Sequence, residues 1–213
     1  MPISLQYLDR LSPERHLVFT KLKLFSSFVL AGGTAIMLQM GDRISYDFDC
    51  FSETEISTNI LAKAKKIFGA DIFLQIETSD MILIKTKENV DISFVFHPYK
   101  PLHKPIKTNS ISIFTLDDLA ANKAFTIGRR GVWRDYVDIF FFLKRKKYSI
   151  KDLVKLAEKK FKGGFSEKLF LGQLTYFDDI KIIQTVFLKE KYTDLEIKSY
   201  LEKEVSSYVK SRI

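Results

Sequence analysis

Two hydrophobic periods divide this chain, and the division constrains its fold more than any other feature. Alternating, strand-type runs lie before residue 115; apolar spacings of three and four, the helical period, dominate after it. Residues 28–31, 44–51, 72–78, 81–86, 89–96 and 111–114 read as strands, with the run from 72 to 96 a meander. Ser12-Pro13-Glu14 supplies an N-cap and a first-turn proline, predicting a helix to about residue 25. Helices are also expected at 34–40 and 57–68. Thr115-Leu116-Asp117-Asp118 has capping-box spacing and opens a helix to about residue 127. Four more follow at 134–144, 149–161, 167–174 and 193–210. The expected class is α+β, with a mixed β-sheet core and flanking helices over 1–114 and a helical C-terminal region over 115–213.

Composition supports a packed core. Hydrophobic residues make up 46% of 213 and aromatics 14%, which excludes a disordered tail. Cys50 is the single cysteine, so no internal disulfide can form, which argues for a reducing compartment. No apolar run approaches the ~18–20 residues of a membrane helix. Met1-Pro2-Ile3-Ser4 lacks a basic segment followed by an apolar one, so no secretion leader is expected. The default expectation is a soluble cytoplasmic protein. Net charge is +8, and residues 144–213 hold most of the surplus, with 17 Lys/Arg against 10 Asp/Glu. Such a region attracts polyanions by Coulomb attraction and counterion release, although a solvated lysine-rich helical surface has the same composition.

The densest chemistry lies in Gly32-Gly33-Thr34 and Asp47-Phe48-Asp49. Asp47 and Asp49, two apart on an expected strand, aim their carboxylates at one face. Each resists ionising beside the other, and a divalent cation with a taste for hard oxygen, such as Mg²⁺, relieves that cost. Asp91, a lone charge in Val90-Asp91-Ile92-Ser93-Phe94-Val95-Phe96, is a third acid if its strand neighbours the first. Three carboxylates could then hold two ions for phosphoryl or nucleotidyl transfer. The glycines admit a close ligand approach, and Thr34 opens a helix whose N–H groups favour phosphate. Each motif alone fits an ordinary turn or strand edge; their order together favours a site. Lys123, among small and apolar residues, suits a triphosphate or an ordinary surface. Arg134 and Asp138, four apart, suit a helix ion pair or the orientation of Lys123 or a substrate hydroxyl. His16, His97 and His103 share no zinc spacing, Cys50 and Trp133 read as core, and no Walker A, Rossmann or Gly-x-Ser-x-Gly pattern occurs.

The stretches LAGGTAIMLQMGDRISYDFDCFS, VDISFVF, FTLDDLAANKAFTIGRRGVWRDYVDIFFFLK and LGQLTYFDD together resemble the AbiEii/AbiGii toxin family of nucleotidyltransferases, a branch of the DNA polymerase β-like superfamily. The resemblance runs from about residue 28 to 179. It implies a nucleotidyltransferase-like mixed sheet whose cleft the helical region completes, and an enzyme that uses an NTP with Mg²⁺ or Mn²⁺. By position, Gly32, Gly33 and Thr34 would hold phosphates, and Asp47, Asp49 and Asp91 would bind metal. Lys123 would contact nucleotide and act in catalysis with Asp138, accompanied by Arg134 and Asp135. Asp42 departs from the family, where histidine is common before the position of Arg43. The resemblance also implies a toxin with a separately encoded antitoxin and, as in some members, a tRNA or other RNA acceptor. A small-molecule nucleotidyltransferase of the antibiotic-modifying kind, and a non-catalytic nucleotide- or RNA-binding module, are the rival expectations.

Overall fold

The computed structural model describes residues 5–212. The sequence at 1–4, on which the expectation of no leader rests, lies outside the described residues, as does Ile213. The chain forms two compact units, Met1–Thr115 and Leu116–Ile213.

The first unit is built on a six-stranded mixed sheet. Its strands are β1 (Val29–Ala31), β2 (Phe48–Ser52), β3 (Phe73–Glu77), β4 (Met81–Lys85), β5 (Asp91–Phe96) and β6 (Ser112–Ile113), in the spatial order β3-β4-β5-β2-β1-β6. The expected meander forms as the antiparallel run β3-β4-β5. β2 then lies parallel to β5 and antiparallel to β1. Helices α1 (Pro13–Lys21), α2 (Gly32–Met40) and α3 (Asn59–Phe68) complete the unit. Ser12 caps α1 by accepting the Arg15 N–H, with Pro13 in the first turn, as its sequence predicts. The helix expected to reach residue 25 is α-helical only to Lys21 and continues as a 3₁₀ turn over Leu22–Leu24. That turn delivers Phe25 to the core, where its ring lies 4.7 Å from Phe94 and 5.9 Å from Phe68. Each such ring, fully buried, contributes about 1.5–3 kcal/mol.

Strand β2 is shorter than its alternating pattern suggests. Residues 44–47 are extended but unpaired in the sheet, and pairing starts at Phe48. Phe48, Cys50 and Ser52 turn into the core while Asp49 and Phe51 face the other way and stay partly accessible. The period of two is what keeps the Asp49 carboxylate out of that core.

The second unit is helical: α4 (Leu116–Ile127), α5 (Trp133–Lys144), α6 (Ile150–Phe161), α7 (Glu167–Leu174) and α8 (Asp194–Lys210). α5 is buried almost all round, from Trp133 and Tyr136 through Phe140, Phe141 and Phe142. α6, α7 and α8 bury one face each and expose lysines on the other, whereas the single lysine of α4, Lys123, is buried. Capping boxes start α6 at Ser149/Asp152 and α8 at Thr193/Glu196. Asp118, the acid of the capping-box pattern at the head of α4, is fully buried and meets Lys160 Nζ of α6 at 2.8 Å. Beside it, Tyr148 donates to Asp117 Oδ1 at 2.6 Å. Burial, reinforced by that bond, pushes the Tyr148 hydroxyl pKa well up. Among the described residues no helix is long and apolar enough to cross a membrane.

Candidate active site

In the first unit the turn from β1 into α2 packs directly against the paired acids. Gly32 has φ +64°, in the left-handed region, and a Cβ built there would lie 1.9 Å from Asp49 Oδ2. A Cβ on Gly33 would meet Ser45 Oγ at 2.5 Å and Arg43 Nη2 at 2.8 Å. The two glycines are therefore a demand of the packing around the carboxylates. The N-cap of α2 is Ala31, which makes no side-chain cap hydrogen bond to the first turn. The first-turn N–H groups and the positive end of the helix dipole, next to acids, are the kind of arrangement that suits a phosphate with a cation beside it. Gly32→Ala should force Asp49 aside and place alanine at a positive φ, a strain of about 1–2 kcal/mol before the clash is counted. A lowered melting temperature, with loss of any Asp49-dependent activity, is the expected outcome in a thermal melt and a transfer assay.

Asp47 and Asp49 are both half-buried, so their carboxylates reach solvent. Each is held by a serine. Ser45 Oγ donates to Asp47 Oδ1 at 3.2 Å, and Ser93 Oγ of β5 donates to Asp49 Oδ1 at 2.7 Å. The Asp47 backbone is also fixed, because the Thr34 hydroxyl donates to its carbonyl at 2.5 Å. Thr34 is fully buried and its hydroxyl is committed to the Asp47 loop, so it is the backbone N–H of this residue that could meet a phosphate. Behind this loop lies Arg15. Its guanidinium donates to the Tyr46 carbonyl at 3.2 Å and to Thr34 Oγ1 at 3.4 Å, and it lies over the rings of Tyr46 and Phe48. Burial pulls the Arg15 pKa down, and the Asp47 carboxylate opposes that pull. Cys50, beside Asp49, has its thiol pKa raised well up by burial and by the Asp49 charge, so it is an inert core residue.

Asp91 does not join the pair. β2 and β5 run parallel with Phe48 beside Ile92 and Asp49 beside Ser93, a register that, carried one residue back, sets Asp91 level with position 47. Its carboxylate instead accepts Gln75 Nε2 at 2.9 Å and lies 3.6 Å from Lys85 Nζ, its cross-strand partner on β4. Among the described residues no three of His, Cys, Asp and Glu are grouped to hold a metal ion. The expected three-carboxylate centre is thus corrected to two acids, Asp47 and Asp49. The lysine across from Asp91 draws the third away.

In the second unit Lys123 of α4 is clamped between two acids of α5. Its Nζ lies 2.5 Å from Asp135 Oδ1 and 2.7 Å from Asp138 Oδ2, with all three side chains at most 11% exposed. Asp135 Oδ2 is buried without a hydrogen-bond partner. Of the two roles open to Asp138, an ion pair with Arg134 or a contact with Lys123, its carboxylate takes the second. Arg134 is half-buried and makes no ion pair among the described residues. With two carboxylates on Lys123, Arg134 is the cation of this cluster left to meet an anion. A separate cleft of about 600 Å³ in the helical unit, lined by Ser149, Lys155, Glu158, Glu204 and Arg212 among others, contains none of these residues.

Arg15, Ser45 and Ser93 did not stand out in the sequence as part of the site. Ser45 carried a signal, sitting at the same period of two as Asp47 and Asp49. Arg15 lay hidden in an unremarkable helix, and Ser93 beside a more conspicuous acid.

A glycine turn against Asp49 and the Asp47 backbone in a unit with a mixed sheet, and a helical unit with a buried Lys–Asp cluster, are features that suit a nucleotidyltransferase. Residues 17–203 match the family described as nucleotidyl transferase AbiEii toxin, type IV TA system. The chain belongs to that family, and its enzyme class is nucleotidyltransferase. An uncharacterised protein of Aquifex aeolicus is 28% identical over 197 residues, 89% of this chain and 92% of that protein. The fold is similar to MenT4, a nucleotidyltransferase toxin of Mycobacterium tuberculosis, at TM-score 0.59 and 12% identity over 96% of this chain and 89% of the other. It is similar as well to a Helicobacter pylori protein of known crystal structure, at TM-score 0.58 and 20% identity over 94% and 97% of the two chains.

Proposed function

We propose that this chain transfers an NMP from an NTP to a hydroxyl of RNA, with tRNA the first acceptor to test, and that it is the toxin of a pair whose antitoxin is encoded separately. The observation that carries the reading is the pair Asp47 and Asp49 beside the first turn of α2. In such a transfer the acceptor oxygen bonds to the α-phosphorus, the α–β phosphoanhydride breaks, and pyrophosphate leaves.

The donor set fits Mg²⁺ or Mn²⁺. Asp47 and Asp49 offer hard oxygens, and each carboxylate spends one oxygen on a serine hydroxyl. A divalent ion held by these two acids would supply positive charge to the phosphate oxygens. The chain's own groups do the rest. The N–H groups of Gly32, Gly33 and Thr34 receive phosphate oxygens. Within the helical unit, Asp135 and Asp138 hold Lys123 as a fixed charge, and Arg134 is a further cation suited to an anion. The surplus of Lys/Arg over residues 144–213 favours a polyanionic acceptor over a small molecule.

The test is direct. The protein is incubated with each α-labelled NTP, Mg²⁺ and total tRNA, and label that stays on RNA is measured with and without a chelator. Metal-dependent label on RNA is expected with at least one NTP. Label only on an aminoglycoside acceptor replaces the RNA reading with small-molecule modification. RNA binding with no transfer to any acceptor replaces it with a non-catalytic module.

A further inference from the structure

Strand β5 brings two polar side chains to the face that carries the paired acids, and the one that reaches them is Ser93. Its neighbour across the parallel pairing is Asp49, so both side chains leave the sheet on the same side at the same level. Ser93 is 7% exposed, which keeps water from competing for its hydroxyl. That hydroxyl donates to Asp49 Oδ1 at 2.7 Å. The other oxygen, Oδ2, occupies the notch where a Cβ of Gly32 would stand, 1.9 Å away. A carboxylate turns freely about its last torsion unless something stops it. Here one oxygen is tied by a hydroxyl and the other is seated against a glycine, so the carboxylate plane is set from both ends.

We propose that Ser93 is a positioning residue for nucleotidyl transfer: it orients Asp49 and takes, without charge, the place on β5 that sequence reasoning gave to Asp91. The proposal rests on the reading of Asp49 as a working carboxylate of the site. A neutral hydroxyl suits the position. It fixes Asp49 while leaving the charge of the site to Asp47 and Asp49, whereas a third carboxylate at this level would repel both. Lys85 and Gln75 explain why Asp91 can keep its charge on the same sheet without joining them.

The test compares Ser93→Ala, which removes one oxygen, with Ser93→Thr, which keeps it on a residue that strands favour. Transfer to RNA is measured at saturating and limiting NTP, with melting temperatures alongside. Loss of a group that orients a metal-side ligand typically costs 10–100-fold, so kcat of Ser93→Ala is expected to fall by roughly that factor. Its KM for NTP should stay within about two-fold, because orientation of Asp49 matters in the transfer step more than in binding. Ser93→Thr should recover most of kcat, and both variants should melt close to the wild type. Unchanged kcat in Ser93→Ala overturns the proposal, as does a Ser93→Thr that melts like wild type yet is as slow as Ser93→Ala. Asp49→Ala run in parallel separates the two levels. If Asp49→Ala still transfers, the reading of the site fails. If it is inactive while Ser93→Ala is not, only the role of Ser93 fails. Mn²⁺ binding followed by electron paramagnetic resonance gives a readout that needs no turnover. Weaker Mn²⁺ binding in Ser93→Ala than in wild type supports the proposal, and equal binding counts against it.

Discussion

Asp49→Ala is expected to lower nucleotidyl transfer by about 10³-fold or more while leaving the protein folded. That factor corresponds to about 4 kcal/mol of transition-state stabilisation, within reach of a lost carboxylate at a metal-assisted phosphoryl site. The fold should tolerate the change because Asp49 is half-buried and faces away from the core that Phe48 and Cys50 enter. Its neighbours Ser93, a neutral hydroxyl, and Gly32, a glycine notch, remain in place. Steady-state rates with α-labelled NTP, paired with a thermal melt, check both halves. A variant that melts normally and still transfers would remove Asp49 from the chemistry.

The second large effect is on stability. Lys160→Met is expected to destabilise the helical unit by about 3–5 kcal/mol, because it removes the ammonium that the fully buried Asp118 carboxylate meets at 2.8 Å. Both side chains of this pair are 0% exposed, so water cannot take the place of the lost ammonium. The contact ties α4 to α6, and the aromatic stack of Phe125 on Phe161, 3.9 Å apart, lies on the same two helices. The expected result is a melting temperature lower by roughly 10 °C or more. The double variant Asp118→Leu with Lys160→Met should recover much of that loss, since a buried pair replaced by apolar groups of similar size is often neutral or better. A single variant that melts like the wild type would show that the pair carries no net weight.

The two buried lysines differ in what surrounds them. Lys160 meets Asp118 with no exposure of either side chain, the arrangement of a structural brace. Lys123 meets two carboxylates, and its cluster keeps about a tenth of two side chains in contact with solvent. It also leaves Asp135 Oδ2 buried without a partner, and an unsatisfied polar atom is costly in a purely structural network. In sequence the two lysines look alike, each a single cation on a helix among apolar neighbours.

Much of the candidate site was legible because its signals are local. Two adjacent glycines, two acids at a period of two and an Arg-Asp-x-x-Asp stretch are each contained in a few residues. Their order along the chain carried the family resemblance. The tie made by the Thr34 hydroxyl was not legible, because a hydroxyl at the start of a helix has two possible partners, a ligand or a neighbouring loop. Nothing local says that the Asp47 carbonyl lies within its reach. Asp91 went astray for a related reason. Its charge is visible in the chain, but the lysine that holds it comes from the strand on its other side.

By itself, then, the order of the residues determined which segments become strands or helices and which carboxylates leave the core, because period and capping act within a few residues of their cause. Tertiary structure alone decided who meets whom. Parallel pairing of β2 with β5 set Ser93 beside Asp49, and the packing of α4 on α5 closed Asp135 and Asp138 around Lys123. Those choices depend on strand order and helix packing, which join residues dozens of positions apart and leave no mark on the spacing of any one segment.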